Sequence, residues 1–109
     1  MEINPKTVVL SLAGHDKGKL FAVLSCENEN FVFIADGRQR KAQKPKKKKV
    51  KHLKILGELS ITRELELIDA ASATNRELRT AIRSFASTKA INEQHKTAAE
   101  GLPRYEGGI

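Results

Sequence analysis

The apolar and polar positions of this chain follow two different periods. Thr7 to Leu12 is apolar and β-branched, and a polar turn with glycine near both ends, Ala13 to Lys19, follows it. This predicts a first strand and its turn. Leu20 to Cys26 predicts a second strand, Glu27-Asn28-Glu29-Asn30 a hairpin connection, and Phe31 to Asp36 a third strand that Gly37 ends. Val50 to Leu56 alternates loosely and predicts a fourth strand, with Glu58 to Ile61 extending or following it. Short strands at this spacing predict a compact antiparallel barrel. Strands two and three are apolar at nearly every position. Both of their faces are therefore expected to be covered, one by barrel closure and one by a later helix.

The period then changes. Thr74-Asn75-Arg76-Glu77 matches a capping box, in which the Thr hydroxyl and the Glu carboxylate each accept from the other residue's amide. Leu78, Ala81, Ile82 and Phe85 follow at helical spacing and form one apolar stripe. Arg76, Arg79 and Arg83 fall on a different side, turned to solvent or to a partner. The expected organisation is a barrel over residues 1–61 with a lysine-rich loop at 37–51. A linker or short helical turn over 62–73, an amphipathic helix over 74–92 and a flexible tail over 93–109 follow. The fold class is mostly β with α: a small antiparallel barrel plus a C-terminal amphipathic helix.

Charge sharpens this picture. The 109 residues hold 20 Lys and Arg against 13 Asp and Glu, a net charge of +7. Between Gly37 and Gly57 there are ten basic residues and no acidic one, so the remainder of the chain is net negative. A concentrated positive field attracts polyanions. Lysines suit phosphate, because each neutralised phosphate releases counterions and adds affinity without sequence discrimination. Four consecutive lysines repel one another, so Lys46 to Lys49 are expected in an extended or mobile loop whose start Pro45 stiffens. Arg38 and Arg40 follow a strand end, are better fixed, and can fork onto phosphate or a base edge.

The segment Val8 to Val23 carries the most specific pattern: a hydrophobic strand, the turn Gly14-His15-Asp16-Lys17-Gly18-Lys19, and a second hydrophobic strand. It resembles the KOW motif, and Gly18 matches that motif's central glycine. A tight strand-to-strand turn often needs a positive φ, which glycine reaches without a Cβ clash. Ile34 to Arg38 followed by Lys44 to Leu53 is similar to bacterial KOW-domain RNA-binding proteins and to the fourteen-e group of large-subunit ribosomal proteins. The resemblance covers Glu2 to Leu56, with a weaker match at the capped helix. It implies an SH3-like barrel that binds structured RNA, ribosomal RNA above all, with ribosomal proteins as neighbours and translation as the setting. The RNA-contacting set is then Lys17, Gly18, Lys19, Arg38, Arg40, Lys41, Lys44, Lys46, Lys47, Lys48, Lys49, Lys51 and His52, though a neutral structural histidine fits His52 equally well.

Other chemistry finds little support. His15, His52 and His95 are scattered, and no metal-ligand spacing links them to Cys26, so neither a metal nor a cofactor is expected. No phosphate-binding glycine loop of the nucleotide-hydrolase type is present, and no enzyme activity or small-molecule substrate is expected. Cys26 is expected to be a small buried residue at a strand end, and its being the only cysteine excludes an internal disulfide. No signal-peptide stretch or membrane-length apolar run appears, which predicts a cytoplasmic protein without membrane partners. Phe21, Phe31, Phe33 and Phe85 are expected on core faces. Tyr105 is then the only aromatic free to stack on a base, which argues for structured RNA over single strands. Pro45 to Lys51 in isolation also reads as a nuclear-localisation run, but its place between two strands of a KOW-like unit argues against that reading. A protein-interaction or transcription-associated adaptor built on the same barrel is the alternative of a different class.

Overall fold

The computed structural model describes residues 3–101, with side chains through residue 88. Its elements, in chain order, are β1 (Thr7–Ser11), β2 (Leu20–Cys26), β3 (Phe31–Ala35), β4 (Lys46–Lys49), β5 (Leu53–Glu58), β6 (Ile61–Arg63), β7 (Glu66–Ile68) and α1 (Asn75–Gly101). Strands β1 to β5 form one antiparallel sheet in the order β4-β3-β2-β1-β5, and β6 and β7 form a separate hairpin. The described fold is mostly β with one helix, as the sequence pattern predicts.

The two edge strands, β4 and β5, are consecutive and joined by a single 3₁₀ turn, Val50–His52. So short a link keeps the adjoining ends of the two edge strands close, which is consistent with an open, barrel-like form. Register shifts between Val8 and Val9 and between Val23 and Ser25 supply local bends.

Both faces of the central strands β1 and β2 are covered, because their alternate residues serve different cores. Val9, Phe21, Val23, Val32, Ile34 and Leu53 pack together on the concave side. Val8, Ala22, Leu24 and Ala35 face the other way, against Leu59, Ile61, Ala70, Ala73, Leu78 and Ala81. The second core is closed by α1 and by the β6–β7 region, with Ile82 and Phe85 half-buried at its margin. Burying a side chain of this size is worth about 1.5–3 kcal/mol, so each layer contributes substantially to a small fold.

The capping box forms as predicted. Glu77 N donates to Thr74 Oγ1 at 3.1 Å, and Thr74 N donates to a Glu77 carboxylate oxygen at 2.9 Å. The same carboxylate takes a two-point contact from Arg63 of β6, whose guanidinium also donates to Ser72 O at 3.1 Å. The guanidinium and the Thr74 amide together hold the Glu77 carboxyl down at about 2. The hydrogen bonds that Arg63 donates to the Glu77 carboxylate in turn raise the Arg63 pKa above its usual value.

Several expectations need correction. The lysine run is no loop: Lys46–Lys49 is strand β4, paired with Phe31 to Ile34 of β3. In a strand, successive side chains point to opposite faces, and same-face neighbours stand about 6.6 Å apart, which relieves their repulsion. Lysine also suits a sheet edge, where charge discourages further strand pairing. Val50 to His52 form the 3₁₀ turn, so the following strand begins only at Leu53. Residues expected as a linker hold β6, β7 and a second 3₁₀ turn, Ala70–Ser72. The helix, expected to stop at residue 92, runs to Gly101, so part of the expected tail is helical. Cys26 is exposed, because it stands at the end of β2 beyond both cores. Phe31 and Phe33 belong to neither core and are half-buried. Tyr105 and residues 102–109 of the expected tail lie outside the described residues.

Candidate functional site

The turn between β1 and β2 is built by backbone bonds and one buried carboxylate. Gly18 N donates to Ser11 O at 2.8 Å, Lys19 N to Asp16 O at 3.0 Å, and Lys17 N to Gly14 O at 3.1 Å. Gly18 has φ +85°, and a Cβ there would meet no atom within 4 Å. Its glycine is therefore a matter of backbone conformation alone. Lys17 and Lys19 flank it, exposed to solvent.

Asp16 is 3% exposed. Its carboxylate accepts from Arg40 Nε at 3.3 Å and Nη2 at 3.1 Å, and Lys46 Nζ stands 3.8 Å away. Arg40 and Lys46 are thus partly engaged as struts between the β1–β2 turn and the segment leading into β4. Asp36, at the end of β3, accepts from the amides of Arg38 and Arg40, each at 2.9 Å, and sets the turn that presents the exposed Arg38.

The start of α1 docks on this same turn. Asn75 Oδ1 accepts from Ala42 N at 2.7 Å, and Arg79 Nη1 donates to Gly37 O at 2.7 Å. Gly37, at φ +76°, comes so close to the helix that an added Cβ would lie 2.2 Å from Asn75 O. Docking places the arginine side of α1 beside the strand ends. A hollow of about 410 Å³ results, lined by Lys19 and Arg38 from the barrel, Arg79 and Arg83 from the helix, and the apolar Leu20 and Ile82. Asp36 also lines it, with its Oδ1 already accepting two amides. Four cations from three parts of the chain thus line one hollow.

The four consecutive lysines divide by face. Lys48 is 9% exposed, and its Nζ donates to Ala13 O at 2.9 Å, so it braces the β1–β2 turn from within. Lys46 leans on Asp16 from the same side. Lys47 and Lys49 are exposed on the opposite face. Lys47 pairs with Glu27 at 2.9 Å and sits 4.8 Å from the centre of the Phe31 ring. Lys41, Lys44 and Lys51 are exposed to solvent. His52 is half-buried, and its carbonyl accepts from Leu12 N at 2.9 Å.

The structure thus brings Lys19 and Arg38 together and sets Lys47, Lys49 and Lys51 on a second basic surface. Arg40, Lys46 and Lys48 are occupied internally. Arg79 and Arg83, expected only to face solvent or a partner, line the hollow. Their spacing marks them as one side of a helix, but only docking shows which strand end that side meets. Among the described residues no three His, Cys, Asp or Glu side chains come together as a metal-binding group, and no helix is long and apolar enough to cross a membrane. No protein-family model matches the chain, and no curated protein matches it.

Proposed function

We propose that this protein binds structured RNA, ribosomal RNA above all, as a non-catalytic cytoplasmic protein of the translation machinery. The observation that carries this is the hollow where Lys19 and Arg38 meet Arg79 and Arg83. Convergent cations held by strand ends and a docked helix are suited to one fixed phosphate. The exposed Lys41, Lys44, Lys47, Lys49 and Lys51 extend the positive surface and add affinity along the backbone. The resemblance of the Gly14 to Lys19 turn to the KOW motif favours RNA over other polyanions.

The test is a titration of the full chain with structured RNA at several salt concentrations. The logarithm of the binding constant is expected to fall linearly with the logarithm of salt, by about 0.7–0.9 per phosphate neutralised. Arg38→Ala and Arg83→Ala are each expected to lower that slope by about one. A binding constant indifferent to salt overturns the proposal.

One observation favours the adaptor reading. The β6–β7 hairpin exposes Leu65 at 96% and Leu67 at 66%, and Glu64 and Leu65 both adopt positive φ at its tip. Exposed apolar residues on a strained turn suit a protein contact. Co-sedimentation with ribosomal particles, with and without nuclease, separates the two readings. Nuclease-sensitive co-sedimentation supports RNA, and fractionation away from ribosomes supports the adaptor.

A further inference from the structure

Phe31 and Phe33 are on the face of β3 opposite the concave core, since the intervening Val32 and the following Ile34 are buried in that core. Across the ladder, Phe31 pairs with Lys49 and Phe33 with Lys47. Rings and ammonium groups therefore alternate on one sheet surface. The second core covers this surface at Ala22, Leu24 and Ala35 but includes neither ring.

Next to Phe31 is a hollow of about 490 Å³, lined by Phe31, Val50, Asn30, Lys49, Lys51 and Glu29. Its parts are those a nucleotide needs. The Phe31 ring and Val50 supply apolar surface for a base, and every base has a π-face to set against a ring. Asn30 is fixed through its backbone, with its N bonded to Asn28 Oδ1 at 2.8 Å and its O accepting from Val50 N at 2.8 Å. Its side-chain amide makes no hydrogen bond among the described residues, which leaves a donor and an acceptor for a base edge. Lys49 and Lys51 supply positive charge for the adjoining phosphate. Glu29 repels that phosphate, so the anion belongs on the lysine side. Lys47, anchored by Glu27 and lying over Phe31, keeps the ring in place and adds a cation to the stack.

We propose that this hollow takes one unpaired RNA base, stacked on Phe31 with its phosphate on Lys49 and Lys51. This rests on the RNA-binding function above and narrows it: the preferred RNA is a helix that carries an unpaired nucleotide. The four-cation hollow at Lys19, Arg38, Arg79 and Arg83 is separate from this site and lined by different residues.

The test uses the full chain and two RNA hairpins of the same stem, one fully paired and one with a single bulged nucleotide. The bulge is then replaced by 2-aminopurine, whose fluorescence falls when it stacks. Wild type is expected to bind the bulged hairpin about tenfold more tightly, the lower part of the range for one stacked base, and to quench the 2-aminopurine. Phe31→Leu is expected to bind both hairpins equally, at the wild-type affinity for the paired one, and to lose the quenching. Asn30→Ala is expected to keep the quenching but to lose part of the preference. Equal wild-type affinity for the two hairpins, or a preference retained in Phe31→Leu, overturns the base site while leaving RNA binding standing. Failure of wild type to bind either hairpin overturns both.

Discussion

The buried carboxylate of Asp16 holds the guanidinium of Arg40, 24 residues away, at 3.1 Å. The contact ties the turn between β1 and β2 to the segment between β3 and β4. An arginine whose sequence position suggests a nucleic-acid contact is therefore partly occupied inside the protein.

Asp16→Asn is expected to lower stability by about 1–2 kcal/mol. Breaking a fully buried pair costs more, but Arg40 is 32% exposed and its freed charge can reach water. Urea unfolding of the variant checks this. An unchanged midpoint would show that the contact is not a strut.

Lys48 and Lys49 are adjacent and are expected to behave oppositely. Lys48→Ala removes a largely buried ammonium bonded to Ala13 O and is expected to cost about 1.5–3 kcal/mol. Lys49→Ala changes an exposed side chain and is expected to stay within about 0.5 kcal/mol of wild type. Its effect falls on RNA, where the salt slope drops by about one. Thermal melts and salt-dependent titrations of both single variants separate the roles. Replacing all of Lys46 to Lys49 together would confound folding with binding.

Glu77 predicts a specific acid dependence. Its folded pKa, about 2, lies below the ordinary carboxylate value, so its contribution to stability is complete above about pH 4.5. That contribution is lost as pH falls through 4.5 toward 2. Wild type is expected to melt at a higher temperature than Glu77→Gln at pH 7, and the gap is expected to close between pH 4.5 and 2. A gap that is constant over this window would sink the assignment.

Gly37 and Gly18 share a positive φ but differ in surroundings. Gly18→Ala is expected to cost about 1 kcal/mol, the backbone term alone, since open space surrounds it. Gly37→Ala is expected to cost about 3 kcal/mol or more, because its Cβ would collide with the first turn of α1. Loss of helix docking should also open the hollow beside Arg79 and weaken RNA binding. Denaturant midpoints for the pair, measured side by side, check the order.

Local pattern was enough to determine the central strands, the turn at Gly18 and the helix start. Each is decided by neighbouring residues: β-branched runs, a glycine at positive φ, and two side chains that bond amides three residues apart. The expectation of two covered faces held along most of β2, where Phe21, Ala22, Val23 and Leu24 are buried in succession, but on β3 it failed at Phe31 and Phe33, which neither core takes in. By contrast, nothing local distinguishes Lys48 from Lys49. Only pairing with β3 turns one inward to Ala13 and the other outward, since a strand alternates its side chains and the register is set by contacts far along the chain. The same holds for Phe31 and Phe33, which read as core until β3 directs Val32 and Ile34 there instead. The meeting of Lys19 and Arg38 with Arg79 and Arg83 depends on where α1 docks. The close approach of Gly37 to Asn75 decides that, and such a contact exists only once the chain has folded.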